Sequence, residues 1–181
     1  KIWEQMHLAH QYNANQIWIV NVGDLKPMEF PISFFLEYAW APDAIPAERL
    51  KDYTTNWAKQ QFGKEHAIEI ADLIDTYGKY AGRIKPELLN DTTYSLVNYN
   101  EFETVVSDFD ELKQRAVFVN DHLFPAQKDA YYQLVLHPIT ALSNLYEMYF
   151  AVAKNKLHAS QGRISANNYA DKVAQLYKKD E

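Results

Sequence analysis

Apolar positions recur at helical spacing over most of the chain, and this pattern predicts a mainly α protein. Over residues 1–13 apolar side chains return every three or four positions, as on an amphipathic helix. A second apolar face follows Pro31, a residue that the first turn of a helix accepts at little cost. The same spacing predicts further helices over residues 47–62, 64–82, 100–123, 125–136 with a continuation to about 158, and 165 onwards. Residues 46–181 are therefore expected to form an up-and-down bundle of about five helices.

One segment departs from the helical pattern. Residues 17–22 are a short run of β-branched and aromatic side chains closed by Gly23, which predicts a strand buried on both faces. Helix, strand and helix in succession are typical of a parallel α/β sheet or a (β/α)-barrel, and we expect residues 1–45 to be a C-terminal segment of such a fold. Because one strand cannot form a sheet, its partners are expected upstream of Lys1, and the chain is expected to be a fragment.

Polar side chains gather directly after the predicted strand. Asn21, Asp24, Lys26 and Glu29 fall within nine residues. In α/β folds the loop beyond the carboxyl end of a strand is where ligands and catalytic groups lie, so these four are candidate site residues. An ordinary surface loop with a solvated Asp–Lys pair explains the same pattern, and both interpretations remain open at this point.

Composition, charge and missing motifs exclude some classes of function but do not identify the function itself. A net charge of −6 with scattered basic residues argues against nucleic-acid binding, and no apolar run is long enough to predict a membrane span. His7 and His10 lie three residues apart, but a metal site needs three or four convergent ligands, so no metal is expected. Without a glycine-rich phosphate loop, no cofactor is expected either.

A second polar group surrounds a predicted helix–helix turn. Hydrogen bonding within the turn explains it, and a surface docked on another domain, with Arg163 reaching a carboxylate there, is the alternative. Its members are Asn155, His158, Gln161, Arg163, Asn167 and Asn168.

The stretch Trp18-Ile19-Val20-Asn21-Val22-Gly23-Asp24-Leu25-Lys26-Pro27-Met28-Glu29-Phe30-Pro31 resembles glycoside hydrolase family 115. Weaker similarities follow in the same order along the rest of the chain. They include Tyr53-Thr54-Thr55-Asn56-Trp57-Ala58, Lys85-Pro86-Glu87-Leu88-Leu89, Leu134-Val135-Leu136-His137-Pro138 and Gln161-Gly162-Arg163.

The resemblance implies a xylan α-1,2-glucuronidase that removes glucuronic acid or its 4-O-methyl ether from glucuronoxylan with inversion. It implies a homodimer, secreted or periplasmic, whose acid and base carboxylates lie in the barrel upstream of Lys1, leaving the fragment inert alone. Asn21 falls on a strand-end position with a catalytic or water-positioning role. From residue type, we expect Lys26 to bind the uronate carboxylate, with Asp24 and Glu29 orienting Lys26 or binding sugar hydroxyls.

The rival interpretation makes residues 46–181 a non-catalytic structural or dimerisation module. Residues 1–45 would then only tether that module to a catalytic barrel. The two interpretations differ over whether Asn21 to Glu29 face a sugar pocket or a domain interface.

Overall fold

The chain folds into eight α-helical segments joined by turns and two longer loops, residues 12–28 and 82–100, in a computed structural model that describes residues 1–180. The segments are α1 (Ile2–Gln11), α2 (Glu29–Trp40), α3 (Leu50–Phe62), α4 (Ala67–Ala81), α5 (Glu101–His122), α6 (Pro125–Tyr131), α7 (His137–Ser160) and α8 (Ala166–Asp180). Single 3-10 turns lie at Pro42–Ala44, Ala47–Arg49 and Pro86–Leu88. The expected mainly helical fold is confirmed.

The predicted helix ends agree closely with the observed ones. Pro31 lies in the first turn of α2, and Gly63 ends α3 with a φ of 75°, a backbone conformation that favours glycine. Asparagine is a common N-cap residue, and the sequence predicts that Asn100 caps α5 through its side chain. That prediction is wrong, because Asn100 makes no side-chain cap and has a φ of 51°. Its carbonyl instead accepts hydrogen bonds from the backbone N–H and the hydroxyl of Thr104, both at 2.9 Å.

Helices α6 and α7 form one rod through a π-helical turn at Tyr132–Leu136. Pro138 has no N–H and its ring crowds the preceding turn, so a regular α-helix cannot run unchanged through this point. The π turn accommodates the proline by widening the backbone, with the N–H of His137 bonded to the Tyr132 carbonyl five residues earlier. Pro138 therefore neither stops the helix nor forces a separate restart.

The strand predicted over residues 17–22 is absent. Those residues are irregular, and no strand occurs within residues 1–180. Ile17, Ile19 and Val20 are 79%, 90% and 48% exposed, although a buried strand was expected. Strand geometry requires a neighbouring strand to receive the backbone hydrogen bonds, and the described chain supplies none. Side-chain type alone therefore did not decide the local structure.

Three apolar clusters hold the helices together. The largest joins α3, α4, α5 and the α6–α7 rod and includes Trp57, Phe62, Ile70, Leu112, Tyr131 and Ile139. The second joins α5 and α7 around Phe109 and Tyr146, and Tyr77 and Tyr80 pack against both clusters. The third lies between α1 and α2, and Tyr53 of α3 connects it to the largest cluster. The α1–α2 pair, and the loop between its helices, is thereby fixed against the bundle.

Candidate functional site

Residues 13–28, which we call the polar loop, connect α1 to α2 and carry three of the four candidate residues. Asn13 leaves α1 with a φ of 64°. Trp18 anchors the loop: its ring stacks on Tyr38 at a centroid distance of 6.1 Å, and its indole N–H donates to the Ala14 carbonyl. The anchor fixes the first half of the loop against α2, while the second half remains largely exposed.

Asn21 is exposed and holds a defined local conformation. Its side-chain oxygen accepts a hydrogen bond of 3.0 Å from the backbone N–H of Gly23, whose φ of 70° closes the turn. In this hydrogen bond the Asn21 side-chain oxygen is the acceptor, so the NH₂ group of the same amide remains an available donor. An amide donor can orient a water or a hydroxyl, but it cannot act as a strong base.

Asp24 and Lys26 are both exposed, and neither forms an ion pair within residues 1–180. Exposed and unpaired side chains agree both with a candidate site and with an ordinary surface loop whose charges are solvated. An unpaired ammonium group is free to attract an anionic ligand such as a carboxylate.

Glu29 is placed differently from the other three candidates. It lies in the first turn of α2, where its Oε1 accepts a hydrogen bond of 2.6 Å from the side chain of Gln133. Its Oε2 is buried without a hydrogen-bond partner in the described part of the chain. Gln133 belongs to the π-helical turn, so Glu29 joins the end of the polar loop to the helical bundle.

Large apolar side chains surround the polar loop and remain exposed. Leu25 is 72% exposed, and on the neighbouring helix Leu36 and Trp40 are 60% and 90% exposed. Ile17 and Ile19 extend the same apolar character within the loop. Five large apolar side chains this exposed, in one loop and the helix that follows it, favour a surface that another part of a protein covers.

The two histidines of α1 are engaged in packing. His7 stacks on Trp3 at 4.6 Å and its Nδ1 lies 3.1 Å from the Tyr38 hydroxyl, while His10 lies 3.8 Å from Asp43. Across residues 1–180 no three His, Cys, Asp or Glu side chains are grouped closely enough to hold a metal ion. Nor is any helix of that part of the chain both long and apolar enough to cross a membrane.

The polar group at the α7–α8 turn forms an internal network. Asn155 donates to the Ala166 carbonyl at 2.8 Å, and Arg163 Nη1 lies 3.3 Å from Nε2 of His158. Nδ1 of His158 lies 2.9 Å from the hydroxyl of Ser165. A guanidinium can only donate, so Nε2 accepts and the ring proton is on Nδ1. The histidine therefore donates to Ser165 and is not arranged as a base that would activate its hydroxyl.

The sequence did not predict the hydrogen bond that Gln133 donates to Glu29. Gln133 lies 104 residues from Glu29 along the chain, and no local pattern connects the two. Nor did the sequence predict a surface on α3, although Asp52, Asn56 and Gln60 recur there every four positions in the printed sequence.

Comparison with known proteins finds one similarity, over the first part of the chain. No curated protein matches the chain. The model of glycosyl hydrolase family 115 matches residues 1–88, a range that contains the whole polar loop, Glu29 and helices α1 to α4. Members of a glycosyl hydrolase family act on carbohydrates, which agrees with the resemblance first noted around Trp18 to Pro31. Residues 1–88, just under half of the chain, are therefore similar to glycosyl hydrolase family 115.

Proposed function

We propose that the protein takes part in removing α-1,2-linked glucuronic acid, or its 4-O-methyl ether, from glucuronoxylan. The observation that carries the proposal is the polar loop, which lies inside the family match and exposes Asn21, Asp24 and Lys26. Asn21 offers an amide hydrogen-bond donor, Asp24 a carboxylate that can accept a hydrogen bond from a hydroxyl, and Lys26 a cation. A uronic acid presents the complementary groups, namely hydroxyls and one carboxylate.

An inverting mechanism uses an acid on one face of the sugar and a base-activated water on the other, with the two carboxyl groups roughly 6.5–9.5 Å apart. In the proposed reaction Asn21 orients that water or a substrate hydroxyl through its amide NH₂. The Gly23 hydrogen bond holds the amide in place before substrate binds, which limits the reorganisation needed during the reaction.

Lys26 is proposed to bind the uronate carboxylate and Asp24 to accept a sugar hydroxyl. Glu29 is proposed as a positioning residue that acts through the loop. Its hydrogen bond to Gln133 fixes the start of α2, directly after Lys26 in the chain, against the helical bundle. Movement of that helix end would shift the ammonium group relative to the sugar.

The acid and base themselves are proposed to come from a barrel upstream of Lys1 in a longer protein. Residues 1–45 would complete that barrel, and 46–181 would be its helical domain. The exposed apolar side chains around the polar loop support this arrangement, since barrel packing would cover them. We also propose that the protein is a secreted or periplasmic homodimer, because the resemblance to glycoside hydrolase family 115 implies both properties.

Asn21→Ala in the full-length protein tests the proposal. We expect kcat for release of 4-O-methylglucuronic acid from glucuronoxylan to fall about 100- to 1,000-fold, the usual cost of removing one preorganised donor. Asn15→Ala is the matched control, because Asn15 is an exposed asparagine in the same loop. Both variants should keep the wild-type thermal transition.

Full activity of Asn21→Ala would overturn the proposed role of the loop. It would favour the second candidate function, a structural or dimerisation module, which the exposed apolar side chains beside the loop also support. Absence of activity of the wild type on any uronate-decorated xylan would overturn the proposed substrate.

A further inference from the structure

A groove of about 540 Å³ lies between the C-terminal half of α2 and helix α3, and no residue of the polar loop lines it. One wall comes from the C-terminal half of α2, where Glu37 projects, and the floor includes Ile45. The other wall is the outward face of α3. The volume falls within the range of about 300–1,000 Å³ that small-molecule sites occupy in proteins.

Helix α3 lines the groove with polar side chains and one accessible aromatic ring. Asp52, Asn56 and Gln60 are spaced four residues apart and form a polar row. Tyr53, which is half-buried, supplies the aromatic surface beside that row, while Trp57 is only 6% exposed and belongs mainly to the core. Planar polar groups next to aromatic carbon suit a sugar ring, because the ring presents hydroxyls at its edge and C–H groups on its faces.

One contact in the groove is already fixed. The Tyr53 hydroxyl donates a hydrogen bond of 2.9 Å to Oε2 of Glu37. Burial and the neighbouring Glu37 raise the pKa of Tyr53, so the hydroxyl remains a donor at neutral pH. The bond restrains Glu37 and leaves its second oxygen as an acceptor at the edge of the groove.

Charge indicates which kind of ligand the groove would take. Two acidic side chains, Glu37 and Asp52, and two basic ones, Arg49 and Lys59, line it. The formal charges cancel, so the groove offers no net attraction to an anion or a cation. A uronic acid would gain no net Coulomb attraction here, whereas a neutral ligand with many hydroxyls can use every donor and acceptor.

We propose that this groove binds a short stretch of an uncharged polysaccharide main chain, as an accessory site away from the polar loop. The carbohydrate class rests on the groove's chemistry and on the match of residues 1–88, which contain the whole groove, to a glycosyl hydrolase family. The choice of xylan as that main chain rests on the proposed function. An accessory site of this kind would hold the polymer while the side-chain uronate is removed elsewhere.

Binding of linear xylohexaose to the full-length protein, measured by calorimetry without turnover, tests the inference. Asn56→Ala combined with Gln60→Ala should weaken binding about tenfold, since it removes two hydrogen-bonding side chains. Gln61→Ala is the matched control, because Gln61 is the exposed neighbour of Gln60 on α3 and does not line the groove. All three side chains are exposed, so the variants should fold normally.

Cellohexaose in a parallel titration separates this inference from the proposed function. Binding of xylohexaose that the double variant weakens supports both the groove and its xylan ligand. Binding of cellohexaose alone, weakened in the same way, supports the groove and counts against xylan as the polymer. Binding of neither sugar, or equal binding by wild type and double variant, overturns the inference whatever the enzyme's activity.

Discussion

Tyr131 packs its ring in the core and also satisfies the hydrogen-bonding requirement of its buried hydroxyl. It is fully buried, and its ring packs edge-on against Phe62 at 5.6 Å. Its hydroxyl donates a hydrogen bond of 3.0 Å to the Ala116 carbonyl of α5, so the polar end is not left without a partner. Burial, with a smaller contribution from Glu69, raises the pKa of Tyr131, which keeps the hydroxyl protonated.

Replacing Tyr131 by phenylalanine removes that hydrogen bond and keeps the ring. We expect the free energy of unfolding to fall by about 1 kcal/mol, the usual net value of one such bond. Chemical denaturation measures the loss. Tyr132→Phe is the control, since the adjacent tyrosine is 55% exposed and should change stability very little. Equal effects of the two changes would contradict the role given to the buried bond.

The turn between α7 and α8 depends on a neutral histidine. Burial lowers the pKa of His158, and the positive charges of Arg163 and Lys154 lower it further. Tyr169 of α8 packs edge-on against the ring at 5.0 Å. Protonation would place a proton on Nε2 facing the guanidinium of Arg163, so it would break the contact that closes the turn.

The folded protein therefore binds protons at His158 less readily than the unfolded chain does. Stability from this site is complete above the unfolded pKa of about 6.5 and is lost as the pH falls through that value towards the lower folded-state pKa. We expect His158→Gln to flatten the fall in Tm between about pH 7.5 and about pH 5.

His122→Gln is the control for that measurement. His122 is an exposed histidine at the end of α5, outside the α7–α8 turn, so its replacement shows what loss of a histidine elsewhere does to the same profile. An unaltered pH profile for His158→Gln would show that other groups cause the acid sensitivity.

Helical elements were predictable because their signal is local and repeated. Along α5 the buried positions Phe102, Phe109 and Ala116 recur at heptad spacing, so the pattern and the observed burial agree. The predicted strand failed because its evidence was side-chain type alone. The hydrogen bonds that would make residues 17–22 a strand require a partner outside the segment.

Across the whole molecule, stability is unevenly distributed. Helix α5 contributes six buried side chains to the core, whereas α1 has none. Tyr77 and Tyr80 pack against both clusters of the bundle, which couples their unfolding. The α1–α2 cluster is smaller and joins the bundle through Tyr53. The structure thus combines a firmly held bundle with a more weakly held first helix and loop.

Hydrogen exchange of this chain should reveal that gradient. We expect amides of α5 and α7 to exchange only on global unfolding, and those of α1 and the polar loop to exchange much earlier by local opening. Mass spectrometry of peptic fragments gives the comparison. Protection of α1 equal to that of α5 would contradict the uneven distribution of buried contacts.

The helical class, most helix ends and the choice of Asn21, Asp24 and Lys26 as candidates could be predicted from the sequence alone. Periodicity, proline and glycine positions and local polarity are all visible from neighbouring residues. The folded chain was needed to show that Glu29 bonds Gln133, that residues 17–22 form no strand, and that α2 and α3 enclose a groove. Each of these depends on groups distant in the chain, whose approach is fixed by packing of the whole bundle and not by any local pattern.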